Sequence, residues 1–128
     1  MTPKKKIMIV EDDVFVMDIY QTKLTQEGFE VMSATNGMEG LKKLREVAEL
    51  PDLILLDILM PYMDGLEMLA ELKKEDSLKN IPVILLTNLS QKNDVDRGLG
   101  LGANDFLIKS HFTPSEVVEK IQAQLKNS

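Results

Sequence analysis

The segment Leu53-Ile-Leu-Leu-Asp57-Ile-Leu-Met-Pro61-Tyr-Met-Asp64-Gly65 constrains the fold more than any other stretch. Its run of apolar residues, with no polar alternate, offers no solvent face, so it fits a parallel strand buried on both sides. Pro61 cannot continue a ladder, and Asp64-Gly65-Leu66-Glu67 has the form of a capping box that opens a helix. Asp57 therefore stands at the carboxyl end of a buried strand, where open α/β sheets bind their ligands. Taken alone, an Asp at that place only ends a strand. The rest of the chain decides its meaning.

The pattern recurs. Ile7-Met-Ile-Val10 runs into Glu11, Asp12 and Asp13, and Phe29–Ala34 reads as a second strand. Pro82-Val-Ile-Leu-Leu86 ends in Thr87, and Asp105-Phe-Leu-Ile108 ends in Lys109. Helical stretches lie between. Asp13 is the expected N-cap of a helix to about Gln26, with Val16, Ile19, Tyr20 and Leu24 on its buried face and Gly28 past its end. Asn36 and Glu39 predict a capping box for a helix to about Glu49, striped by Met38, Leu41, Leu44 and Ala48. The Asp64 helix should reach about Lys74. Ser90–Gly102 reads as a helix weakened by Gly98, Gly100 and Gly102, since each interior Gly costs about 1 kcal/mol relative to Ala. Thr113-Pro114-Ser115-Glu116 is a strong start for the last helix, with Val117, Val118, Ile121 and Leu125 as its stripe.

Strand and helix thus alternate five times, which predicts an α/β domain over residues 1–128: a five-stranded parallel sheet, doubly wound, with helices on both faces. The ends of parallel strands share one edge, so Glu11-Asp12, Asp57, Thr87 and Lys109 should converge. Each has an ordinary explanation as a cap, a strand end or a solvated side chain. Their occurrence together at four strand ends is far harder to obtain by accident. Three adjoining acids repel, so one takes up a proton or a cation joins them. With no Cys and only His111, the ligands are all oxygen, which favours a hard ion such as Mg²⁺. Lys109 adds a fixed positive charge and Thr87 a hydroxyl, a set that suits a phosphoryl group. Asp57 would be the nucleophile that becomes an aspartyl phosphate.

Composition closes off other classes. A net charge of −6 argues against nonspecific nucleic-acid binding by this chain. No apolar run is long enough to span a bilayer, and the basic Met1–Lys6 leads into a stretch too short for a signal sequence. A cytoplasmic location is expected by default.

Ile7–Asp13, Leu53–Gly65 with its Asp-x-x-Met-Pro-x-Met-Asp-Gly core, Val83–Thr87 and Gly102–Lys109 resemble the receiver domain of bacterial two-component response regulators, in a single-domain form like the chemotaxis regulators. The resemblance covers essentially the whole chain. It implies a flavodoxin-like (βα)5 fold in which Asp57 takes a phosphoryl group from a histidine kinase or phosphotransfer protein. Such a domain phosphorylates and dephosphorylates itself rather than turning over a substrate. Glu11 and Asp12 are then the acidic pair, and Asp12, Asp57 and the backbone carbonyl of Leu59 are direct Mg²⁺ ligands, Glu11 often acting through water. Lys109 and Thr87 would hold the phosphoryl oxygens, and Phe106 is the aromatic switch coupled to Thr87. The residues two places beyond Asp57 and Thr87, here Leu59 and Leu89, tune attack by water in the family; both being apolar, a long-lived phospho-form is expected.

Three departures stand out: Ser110 rather than Pro follows Lys109, Asn88 replaces a small residue after Thr87, and Phe106 lacks the hydroxyl of the commoner Tyr. None removes a reacting group. A haloacid-dehalogenase type of phosphatase would need a second Asp where Leu59 stands, and an FMN binder would need a phosphate-cradling loop where the first strand meets acids. No G-x-G-x-x-G follows a strand, which disfavours a dinucleotide fold. The alternative within the family is a degenerate receiver that binds partners without phosphorylation; intact Glu11, Asp12, Asp57, Thr87 and Lys109 speak against it. The expected partner or dimer surface is the face of Ser90–Gly102, Asp105–Ile108 and Thr113–Lys126.

Overall fold

Every apolar run forms a strand. In the computed structural model, which describes residues 4–88 and 92–126, the elements are β1 (Lys6–Val10), α1 (Val14–Gln26), β2 (Glu30–Ala34), α2 (Gly37–Glu46), β3 (Leu53–Asp57), α3 (Gly65–Lys74), β4 (Val83–Thr87), α4 (Lys92–Gly100), β5 (Asp105–Ile108) and α5 (Pro114–Lys126). All strand pairs are parallel, in the order β2-β1-β3-β4-β5. The chain leaves β1 toward one edge and returns at β3 toward the other, so the order reverses between β1 and β3. That reversal opens the crevice at the carboxyl edge.

The sheet separates two cores. Met8, Val10, Ile54, Leu56, Val83 and Leu85 face Leu41, Leu44, Leu69, Leu72 and Val95 from α2, α3 and α4. Ile7, Ile9, Leu53, Leu55, Ile84 and Leu86 face Tyr20, Leu24, Val117 and Ile121 from α1 and α5. Every residue of β3 and β4 is buried, which is why those runs carry no polar alternate.

The helix ends show where local signals held and where they did not. Asp64 and Glu67 form a full capping box, with Glu67 N–H donating to Asp64 Oδ1 at 2.9 Å and Asp64 N–H to Glu67 Oε1 at 3.1 Å. Thr113 and Glu116 do the same for α5. The Asn36 box is only half made. Asn36 Oδ1 accepts from Glu39 N–H, but the Glu39 carboxylate turns to Thr35 Oγ1 at 2.8 Å and pairs with Lys43. The same helix ends at Glu46 rather than Glu49, because Val47 is extended and the chain must travel to Asp52, which bonds Lys6 in β1. Ala48, past the helix end, is exposed, as is Met38 in its first turn, and buried Gly37 and Gly40 complete the stripe with Leu41 and Leu44. Ile19 is also more than half exposed, leaving Tyr20 and Leu24 as the buried residues of α1.

The expected helix Ser90–Gly102 is shorter, Lys92–Gly100; Leu89 and Ser90 lie outside the described residues. Its glycines are not plain weaknesses. Gly102, at φ +112, ends the helix with Gly102 N–H donating to Leu99 O and Ala103 N–H to Gly98 O, the Schellman pattern. Gly98 lets α4 approach the sheet, since an added Cβ would lie 2.3 Å from Leu85 Cδ1. Gly100 faces open space.

Candidate functional site

Register brings the strand ends together. Val10 pairs with Leu56, so Glu11 and Asp12 follow β1 beside Asp57. Asp57 pairs with Leu86, so Thr87 lies one step further along; Thr87 pairs with Ile108, so Lys109 follows β5 at the same level. The acids, the hydroxyl residue and the lysine therefore share one edge, and four of the five strand ends contribute.

The consecutive acids divide their roles. Asp13 is the helix cap, accepting from the N–H groups of Phe15 and Val16. Glu11 is buried, and its N–H extends the ladder to Ala34 O. Its Oε1 accepts from Lys109 Nζ at 2.7 Å and its Oε2 from Asp13 N–H at 3.2 Å. Asp12 sits exposed at the rim. Carboxylate oxygens of Glu11, Asp12 and Asp57 lie within 4.8 Å of one another, close enough to share one ion.

Asp57 is only 4% exposed, and Lys109 Nζ stands 3.2 Å from its Oδ1. Burial first, then the adjoining Glu11 carboxyl, push the Asp57 acid up to about 8, with Lys109 pulling the other way. Burial alone would lower the Lys109 ammonium, but its bond to Glu11 and the charges of Asp57 and Glu11 outweigh that and hold it above its ordinary value. Partial desolvation even at the rim, then the Glu11 carboxyl, raise Asp12 as well. Asp57 and Asp12, both raised first by desolvation and then by the adjoining Glu11 carboxyl, are what a bound cation would relieve. An all-oxygen donor set with no His or Cys fits a hard divalent ion.

Thr87 is buried at the end of β4, and its Oγ1 donates to Asn88 O at 3.1 Å. Phe106, half-buried in β5, lines one groove with Thr87, Val95, Leu99 and Ile108, a recess of about 290 Å³ between α4 and the sheet. Leu59 follows buried Ile58 in the turn after β3 and exposes 54% of its surface; Leu89, its expected counterpart, lies outside the described residues. Ser110 sits in a single 3-10 turn, Lys109–His111, and no peptide bond among the described residues is cis.

Residues 7–122 match the response regulator receiver domain family. The chain belongs to that family. It is 41% identical over 125 residues to a transcriptional regulatory protein, the CpxR homolog of Haemophilus influenzae, covering 96% of this chain and 51% of that relative. Among solved structures it resembles a CheY-like response regulator receiver domain protein from Methanospirillum hungatei, at 31% identity and TM-score 0.88 over 98% of this chain and 96% of that one. It also resembles the Mn²⁺-bound form of response regulator Rcp1, at 32% identity and TM-score 0.77 over 87% of this chain and 85% of that one. The receiver domain spans about half the length of the curated relatives it matches.

Two neighbours of this receiver site carry no signal in the sequence. Gly65, called only part of a capping box, approaches the backbone of Asp57 so closely that a Cβ there would lie 2.2 Å from the Asp57 carbonyl oxygen. Tyr20, called a face residue, is buried beside Lys109. The spacing of polar strand ends signals neither. Both depend on how a helix is seated against the sheet.

Proposed function

We propose that this receiver domain takes a phosphoryl group onto Asp57 from a phosphohistidine of a histidine kinase or phosphotransfer protein and thereby switches a protein-interaction surface. One observation carries the reading. A nearly sealed carboxylate on the central strand lies beside two further acids and 3.2 Å from a lysine ammonium that also bonds one of them.

An Asp57 oxygen attacks phosphorus in line; the P–N bond breaks, and its electron pair leaves with the donor imidazole. Lys109 exchanges its Asp57 contact for a phosphoryl oxygen while keeping Glu11 Oε1. The Thr87 hydroxyl turns from the Asn88 carbonyl to a second phosphoryl oxygen. Asp12, Asp57 and the Leu59 carbonyl would hold Mg²⁺, with Glu11 behind them. Bound there, the ion offsets the charge that gathers on the phosphoryl oxygens.

Drawing in Thr87 empties part of the groove it shares with Phe106, and the ring turns inward to fill it. The face of α4, β5 and α5 changes with it, which makes that face the downstream or dimer surface. A cytoplasmic setting suits such a kinase partner, and no helix among the described residues is long and apolar enough to cross a membrane. Incubation with acetyl phosphate and Mg²⁺, read by intact mass, tests the assignment. One hydroxylamine-labile phosphoryl group is expected, absent from Asp57→Asn; its persistence in that variant would place the acceptor elsewhere.

A further inference from the structure

Tyr20 is 7% exposed, and its ring belongs to the core between the sheet and α1 and α5. A buried tyrosine hydroxyl ordinarily finds a hydrogen-bond partner. This one makes no hydrogen bond to any described residue. Packing alone would be served as well by Phe, which leaves the hydroxyl to be accounted for.

Its surroundings point to a role. Tyr20 and Lys109 line the same open recess, together with Val16, Ile19, Phe112 and Pro114. Among the charged groups that act on the phenol, Lys109 comes first, ahead of Glu11 and Asp57. The ammonium carries three N–H donors. Glu11 Oε1 and Asp57 Oδ1 account for two of them, and no third partner occurs among the described residues. A neutral phenol oxygen and a spare ammonium proton thus line one recess; no direct hydrogen bond joins them among the described residues, and the recess has room for a bridging water.

We infer that Tyr20 is a positioning residue for phosphoryl transfer, its hydroxyl accepting the remaining Lys109 proton through one water and holding the ammonium at the site while its Asp57 contact is exchanged. The inference rests on the reading of Asp57 as acceptor. A carboxylate in place of the phenol would pin the lysine with another full charge, whereas a neutral oxygen steadies it and lets it move. Lys109 otherwise keeps only Glu11 during the exchange, on a chain with four flexible bonds.

The test uses the chain's lack of Trp and its two tyrosines, of which Tyr62 is 85% exposed. In a Tyr62→Phe background, Tyr20 is the sole fluorophore. Phosphorylation with acetyl phosphate and Mg²⁺ should change its emission as Lys109 shifts. Adding Tyr20→Phe should slow maximal phosphorylation about three- to ten-fold, the worth of one hydrogen bond. The Mg²⁺ concentration at half-maximal rate should stay unchanged, because the acids are intact. An unchanged rate, a parallel shift in Mg²⁺ dependence, or emission indifferent to phosphorylation would each overturn the role of Tyr20. Failure of the underlying reading would look different: Asp57→Asn, run alongside, would still gain the phosphoryl mass.

Discussion

Gly65 and Asp57 are in backbone contact. The first residue of α3 lies so near the end of β3 that its N–H donates to Ile58 O at 2.8 Å, and a Cβ at Gly65 would come within 2.2 Å of the Asp57 carbonyl oxygen and 2.9 Å of Ile58 Cα. Both nearest atoms are backbone, so a side chain could be admitted only by moving the strand end or the helix. Gly65→Ala should therefore cost about 1–3 kcal/mol by overpacking and displace the acceptor carboxylate as well. Urea denaturation checks the first effect and acetyl phosphate uptake the second. Full stability with a normal rate would show that the turn yields freely.

The crowded acids make a pH prediction. With Asp57 raised from its ordinary 3.8 to about 8 in the folded, metal-free protein, the native state binds more protons than the unfolded chain between those values. Stability from this group is thus fully present below the ordinary carboxylate range and is lost as pH rises through about 8. Metal-free protein should accordingly be less stable at pH 8 than at pH 5, and Asp57→Asn should flatten the slope and stabilise the protein at the higher pH. Denaturant midpoints at both pH values, taken in chelator, decide the matter.

Mg²⁺ should reverse that loss. Binding to the folded state alone stabilises by RT ln(1 + [L]/Kd), about 1.4 kcal/mol for each tenfold excess over Kd once the site is filled. Asp12→Ala should remove the Mg²⁺-dependent rise in melting temperature and abolish phosphorylation by small donors while the fold persists, since removing a repelled acid is neutral or favourable. Normal phosphorylation of Asp12→Ala would take Asp12 out of the metal site.

Leu59, two residues past Asp57, stands exposed with no group to orient water. The phospho-form should be long-lived for that reason, and Leu59→Asn should hasten its decay. Mass spectrometry after removal of the donor gives the lifetime; a slower or unaltered decay would contradict the proposed water path.

On phosphorylation, amide exchange should change most in α4 and β5. The Thr87–Phe106 groove lies under α4, and Gly98 lets that helix ride directly on Leu85. Changes confined to α1 would move the switch to the opposite side of the sheet.

What the sequence determined by itself was most of what needs only neighbours along the chain. Unbroken apolar runs at Leu53–Leu56 and Val83–Leu86 admit one environment, a strand covered on both faces. The Asp64–Glu67 and Thr113–Glu116 caps close within one turn, so their residue types suffice. Parallel order alone then puts Glu11, Asp12, Asp57, Thr87 and Lys109 on one edge. Only tertiary structure decided who touches whom across that edge. Lys109 reaches Glu11 from 98 positions away, and the bond depends on strand register and on burial that deprives both groups of water. The half-made Asn36 box is a local exception, where the neighbouring Thr35 hydroxyl competes for Glu39, whereas Gly65, Gly98 and Tyr20 took their meaning from the seating of three helices on the sheet. Hydrophobic periodicity tells which face of a helix is buried; the depth at which it rests, and hence which glycine or hydroxyl meets the site, follows from packing the whole molecule.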